Sequence, residues 1–185
     1  MKIEKTDLDG ACIIEPARFG DDRGWFSETW HQAKLAAAGL DVAFVQDNHS
    51  FSAAKGTLRG LHYQRPPHPQ AKLVRCTRGA ILDVAVDARK GSPGYGRWVT
   101  VELSAANGRQ LLVPVGFLHG FVTLTADTEV QYKCSDYYAP DCDGAVHWAS
   151  LGIDWGTDSP VISAKDASAV PFAQFDSPFT YGVTA

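Results

Sequence analysis

His62, Tyr132 and Lys72 are the residues of this chain best suited to moving protons and holding charge, with Asp166 a carboxylate able to orient an imidazole. His62 stands in Thr57-Leu58-Arg59-Gly60-Leu61-His62-Tyr63-Gln64. A histidine titrates near neutrality and can take a weakly acidic proton, such as one beside a ketone. Alone in a strand it is more often structural; Arg59, Gly60 and the nearby Lys72 shift the balance toward chemistry. Lys72 shares strand parity with Val74 and Cys76. It is either a solvated lysine or a cation inside a barrel that holds an anion or an enolate. Tyr132 shares parity with Val130 and Cys134, and reads either as a core tyrosine with a satisfied hydroxyl or as one serving a pocket. Asp166, in Ser163-Ala164-Lys165-Asp166, reads as an early helix acid or as the distant partner of a histidine.

Pro114-Val115-Gly116-Phe117-Leu118-His119 has the P-x-G-x-x-H form of the second motif of cupin barrels, whose histidine often binds a metal. The first cupin motif, H-x-H followed by a glutamate, is absent, because Tyr63 and Gln64 follow His62. His62 and His119, with His68 wedged between Pro67 and Pro69, make a poor metal site without a placed carboxylate. No metal and no cofactor are expected, and a metal-dependent cupin enzyme is the competing reading. Arg23 and Glu28 lie in Asp21-Asp22-Arg23-Gly24-Trp25-Phe26-Ser27-Glu28, which reads as a turn followed by an edge strand. Gln46 and Asn48 flank Asp47 among apolar neighbours. Amides inside a barrel need partners, and these are suited to reading a base or a sugar.

Strands must carry these residues. Residues 80–87 alternate Leu82, Val84 and Val86 against Asp83, Ala85 and Asp87. Residues 97–103 alternate Val99, Val101 and Leu103 against Trp98, Thr100 and Glu102, and residues 128–135 do the same around Val130, Tyr132 and Cys134. Period two marks half-buried strands, with the apolar set taken as the core face. Further strands are predicted at 11–16, 25–30, 44–51, 57–64, 72–78, 110–114 and 117–124, separated by Gly- and Pro-containing turns. A helix is predicted at 32–38, alanine-rich and ended by Gly39, and a short one at 164–170. About ten short strands in 185 residues predict one all-β domain, residues 1–185, folded as a jelly-roll β-barrel with a few short helices. One geometric difficulty arises: Arg59 and His62 have opposite parity, so a regular strand cannot aim both at one pocket. A bulge at Gly60 would resolve it.

Composition narrows the partners. Hydrophobic residues are 45% and charged residues 21%, ordinary globular usage that excludes a disordered chain. Seventeen Lys+Arg against 21 Asp+Glu give a net charge of −4, which disfavours nucleic acid as a partner but allows a local basic cluster for one small anion. The longest apolar stretch, 111–124, is broken by Pro114, Gly116, His119 and Gly120 and is too short for a bilayer. Cys12, Cys76, Cys134 and Cys142 lack C-x-x-C spacing, and Met1 leads into charged residues rather than a signal peptide. Reduced thiols in a cytoplasmic protein are expected.

Six segments then occur in order: Asp22-Arg23-Gly24-Trp25-Phe26-Ser27-Glu28, Phe44-Val45-Gln46-Asp47-Asn48, Leu58-Arg59-Gly60-Leu61-His62-Tyr63-Gln64, Lys72-Leu73-Val74-Arg75, Pro114-Val115-Gly116-Phe117-Leu118-His119-Gly120-Phe121 and Tyr132-Lys133. Together they closely resemble the dTDP-4-dehydrorhamnose 3,5-epimerase family of nucleotide-sugar epimerases, over about residues 15–171. The resemblance implies a metal-free jelly roll working as a homodimer on a dTDP-4-dehydro-6-deoxyhexose. By position, His62 resembles the family's base, Asp166 its orienting carboxylate, Tyr132 the acid on the opposite sugar face, and Lys72 the group that stabilises the C4 enolate. Arg23, Phe26, Glu28, Gln46, Asn48, Arg59, His119, Asp143 and Lys165 match positions that contact the sugar or the nucleotide. Three departures bear on the rim of the site: Asp143 where glutamate is common, bulky Leu118 before His119, and no Asp-Pro step after Trp148 in the run to Trp155. Relatives with this core include enzymes that invert only C3 or only C5. A jelly roll that binds sugar nucleotides without catalysis would have no reason to hold His62, Asp166 and Tyr132 together.

Overall fold

In the computed structural model, which describes residues 1–182, the alternating segments pair into two antiparallel sheets packed face to face. The six-stranded sheet runs β1 (Lys2–Lys5), β2 (Cys12–Glu15), β10 (Gln110–Val113), β7 (Lys72–Arg78), β12 (Thr128–Cys134), β5 (Gln46–Ser52). The five-stranded sheet runs β13 (Asp143–Ala145), β6 (Leu58–Gln64), β11 (Phe117–Thr123), β8 (Ala80–Asp87), β9 (Trp98–Ser104). A separate ribbon pairs β3 (Arg18–Asp21) with β4 (Gly24–Ser27). The helices are α1 (Gln32–Ala37), ended by Gly39 at φ +86°, and α2 (Ala164–Ala167). This is the predicted jelly roll. The strands β1, β3 and β13 escaped prediction because three or four residues are too few to display a period. The single-domain reading over residues 1–185 runs past the described residues.

Between the sheets, Val74, Cys76 and Val130 meet Ile81, Ala85, Phe117 and Phe121. A second apolar layer lies outside the five-stranded sheet, where the C-terminal segment lays Val146, Ile153, Trp155, Phe175 and Phe179 over Leu58, Leu61, Val84, Val86, Leu118 and Val122. That layer corrects the reading of β8. Leu82, Val84 and Val86 were expected to face the barrel, with Asp83, Ala85 and Asp87 toward water. Instead Ala85 packs in the barrel, Val84 and Val86 pack beneath the tail, and Asp83 and Asp87 are both buried. Alternation separates two faces; it does not say which is inside when both are covered. The four cysteines are free and buried.

The bulge expected in β6 is present. His119 pairs with His62 and Phe121 with Arg59, so three steps on β6 match two on β11. Arg59 and His62 thereby reach the same face. Gly60 sits at φ +138°, and a Cβ there would lie 2.5 Å from the Gly120 Cα and 3.0 Å from the His119 carbonyl oxygen. Gly60→Ala combines backbone strain with overpacking, each costing about 1–3 kcal/mol. Denaturant titration should show a destabilisation of about 2–6 kcal/mol. A midpoint equal to the parent's would mean that the bulge has no need of glycine.

Candidate active site

One wall of the barrel interior belongs to the six-stranded sheet. Tyr132 stands in register between Val74 and Asn48, and Cys134 between Lys72 and Gln46. The parity that buries Val74, Cys76 and Val130 thus turns Lys72, Tyr132, Gln46 and Asn48 inward. The two amides satisfy each other and the thiol: Gln46 Nε2 donates to Asn48 Oδ1 at 3.1 Å, and Asn48 Nδ2 to Cys134 Sγ at 3.6 Å. The Lys72 ammonium lies 5.9 Å from the centre of the Tyr132 ring. Among the described residues it has no carboxylate within ion-pair reach. Burial lowers its pKa, while Cys134, Asp143 and Asp83 act in the opposite direction. Burial pushes the Tyr132 phenol up, so it stays protonated at neutral pH.

The facing wall carries the histidines. His62 Nε2 lies 2.6 Å from Asp166 Oδ1. Asp166 arrives from α2, whose first turn is capped when Ser163 Oγ accepts the Asp166 backbone N–H. The carboxylate is buried, which alone would favour its neutral form. The His62 ring, the Gly60 N–H and the Ser163 hydroxyl outweigh that and hold its pKa below the usual carboxylate range. An ionised Asp166 can only accept, so His62 donates from Nε2 and keeps Nδ1 as its basic nitrogen. Arg59 anchors on Ser52 and Phe51 of β5, close enough that its charge acts on the Tyr132 phenol across the barrel. A cleft of about 290 Å³ opens beside β6, lined by Arg59, His62, Lys165 and Asp166 with Thr57, Leu58 and residues 161–163. Lys165 pairs with Asp143, and Asp143 accepts from the Tyr138 hydroxyl at 3.3 Å, so the shorter acid still reaches its neighbours.

His119, directly across from His62 in register, holds Asp83 Oδ1 at 2.7 Å. Asp83 is fully buried, its Oδ2 has no partner, and burial pushes its pKa up. Asp83 and the rim residue Tyr138 escaped the sequence reading. The available signal for Asp83 was a carboxylate in a strand whose other face is wholly apolar. Among the described residues no group of three or more His, Cys, Asp and Glu gathers as a metal site would require.

Within one chain Arg23, Phe26 and Glu28 stand apart from these residues: among the described residues Arg23 pairs with Asp21 and Glu28 with Lys34, and Phe26 is exposed. The chain leaves the sheet after β2, and Arg18 ties the ribbon to the carbonyls of Ala105 and Ala106, so the ribbon projects away. Trp30, the last residue of the strand predicted at 25–30, lies beyond β4 and is half-buried against Phe44. Leu118 and the Trp148-to-Trp155 run do not shape the rim. Leu118 is buried under the tail, and Trp155 packs there with its Nε1 donating to the Trp148 carbonyl.

Comparisons with known proteins show the family. The sequence profile of dTDP-4-dehydrorhamnose 3,5-epimerase matches residues 5–174. The enzyme of that name from Salmonella typhimurium is 50% identical over 173 residues, 91% of this chain and 94% of its own length. The crystal structure of a dTDP-6-deoxy-D-glucose-3,5-epimerase from Legionella pneumophila, in complex with dTDP-4-keto-L-rhamnose, superposes with a TM-score of 0.93 at 42% identity, covering 98% of this chain and 99% of that one. A 3'-monoepimerase from Streptomyces bikiniensis, in complex with dTDP-quinovose, gives 0.85 at 37% identity, covering 92% and 87%. With most of its length matched and its jelly roll shared with these enzymes, the chain is an isomerase that belongs to the dTDP-4-dehydrorhamnose 3,5-epimerase family.

Proposed function

We propose that the chain converts dTDP-4-dehydro-6-deoxy-D-glucose to dTDP-4-dehydro-L-rhamnose, with His62 as base, Tyr132 as acid and Lys72 at the C4 oxygen. The observation that carries this reading is the placement of His62, backed by Asp166 at 2.6 Å, on one sheet while Tyr132 and Lys72 line the other. A ketone makes the neighbouring C–H weakly acidic. His62 takes that proton, and the C–H electron pair moves into the ring to leave the enolate charge on O4. Lys72 and the low-dielectric barrel favour that charge. Tyr132 then delivers its phenolic proton to the opposite face of the same carbon; the C=C pair becomes the new C–H bond and the charge on O4 reforms the carbonyl. The carbon is inverted, no electrons are gained or lost, and proton exchange with water resets both groups. Arg59, Lys165 and His119 supply positive or donor groups suited to a diphosphate and sugar hydroxyls, and Gln46, Asn48 and Asp143 add polar contacts.

Incubation in D₂O with EDTA present tests the reading. Product should form as fast with EDTA as without it in the same D₂O buffer, with NMR showing deuterium at C3 and C5. Label at a single carbon would make this a one-centre epimerase. Loss of activity on chelation, restored by Zn²⁺ or Fe²⁺, would favour metal chemistry instead.

We further propose that the protein works as a homodimer in which a second copy supplies Arg23, Phe26 and Glu28. Phe19, Trp25 and Phe26 are 65%, 61% and 70% exposed on a two-stranded ribbon, more aromatic surface than an isolated ribbon would leave to water. The strand β5, which carries Gln46 and Asn48, is the outermost of its sheet and has an unpaired edge. Sedimentation at micromolar concentration should give twice the 20.0 kDa chain mass. A monomer there would remove this part of the reading.

A further inference from the structure

We propose that Gln64 is a positioning residue that sets the rim of the site and thereby the affinity for the nucleotide sugar; this rests on the dTDP-sugar reading above. Gln64 ends β6, two residues beyond His62 and on the same face. It is buried at 5% exposure, and both ends of its amide are used. Nε2 donates to the carbonyl oxygens of His68 and Tyr137, the latter at 2.9 Å, and Oε1 accepts from the Ala139 N–H at 2.9 Å. One side chain therefore ties the loop after β6 to the segment after β12. That segment carries Tyr138, which is 57% exposed. Its backbone N–H donates to Gln46 Oε1 at 2.9 Å and its hydroxyl to Asp143. A glutamine from each sheet thus clamps the same three residues: Gln46 from β5 and Gln64 from β6.

The chemistry of the clamp is specific to a neutral amide. Two carbonyl oxygens need two N–H donors on one atom, and an N–H needs an acceptor on its neighbour. A carboxylate of the same shape keeps the acceptor but turns its other oxygen toward two carbonyls. If Gln64 merely filled space, Gln64→Met would be harmless, while Gln64→Glu would still bury a charge. If it donates, Gln64→Glu is at least as harmful as Gln64→Met, which retains the length and loses every hydrogen bond. Freeing the rim leaves His62, Lys72 and Tyr132 in place, so binding should weaken while the chemical step persists.

Steady-state kinetics and dTDP titration on both variants test this. KM for the nucleotide sugar and Kd for dTDP should rise about tenfold, the order expected for one or two lost hydrogen bonds, with kcat within about threefold of the parent. A fall in kcat at unchanged KM, or a harmless Gln64→Met, would overturn the assignment. Should a variant not fold, hydrogen exchange on the parent decides: saturating dTDP should slow exchange of the Ala139 amide, and no change would count against the proposal. A parent that fails to bind dTDP at all would refute the dTDP-sugar reading. A parent that binds, with variants that bind equally well, would refute the role of Gln64 alone.

Discussion

His62→Ala is expected to slow epimerisation and solvent exchange at the substrate's carbon acids together and by orders of magnitude. The His62 ring is aligned by the buried carboxylate of Asp166, held in its ionised form, through a 2.6 Å contact. Without its base the enolate forms slowly, so product and label should accumulate together at a much reduced rate. General acid–base catalysis contributes about 10²–10⁴-fold, and the loss should fall in that range for both readouts. Retained exchange in the variant would name another residue as the base. His119, opposite in register and paired with Asp83, would be the first to examine.

Tyr132→Phe should separate the two halves of the reaction. The base, Asp166 and Lys72 all remain, so the enolate still forms. Reprotonation from the six-stranded sheet's side fails, and the enolate regains a proton only on the face from which it lost one. In D₂O the variant should wash deuterium into recovered starting sugar faster than it makes product, with product formation reduced about 10²–10⁴-fold. The ring of the variant still fills its place beside Lys72, so the difference isolates the hydroxyl. Epimerisation at the parent rate would exclude Tyr132 as the acid. A parallel collapse of exchange and turnover would instead place the phenol in enolate formation.

The sequence determined the jelly roll, because period-two patterns over seven or eight residues mark strands wherever they end up. It also determined which side of β12 faces inward, since Val130, Tyr132 and Cys134 alternate with Glu129, Gln131 and Lys133. The Gly60 bulge was legible too: two charged residues of opposite parity with a glycine between them leave few other ways to share a pocket. Tertiary structure alone decided the rest. The contact of Asp166 with His62 spans 104 residues; the family resemblance implied it, but no local rule links a helix acid to so distant an imidazole. The inward face of β8 depended on the C-terminal layer covering its other side, which turned Asp83 from an expected surface acid into the buried partner of His119. The path of the β3–β4 ribbon, which carries Arg23 and Phe26, depended on Arg18 reaching two carbonyls of a distant turn. Local pattern fixes backbone state and parity because both are set by near neighbours; which polar groups meet is set by how the layers close over them.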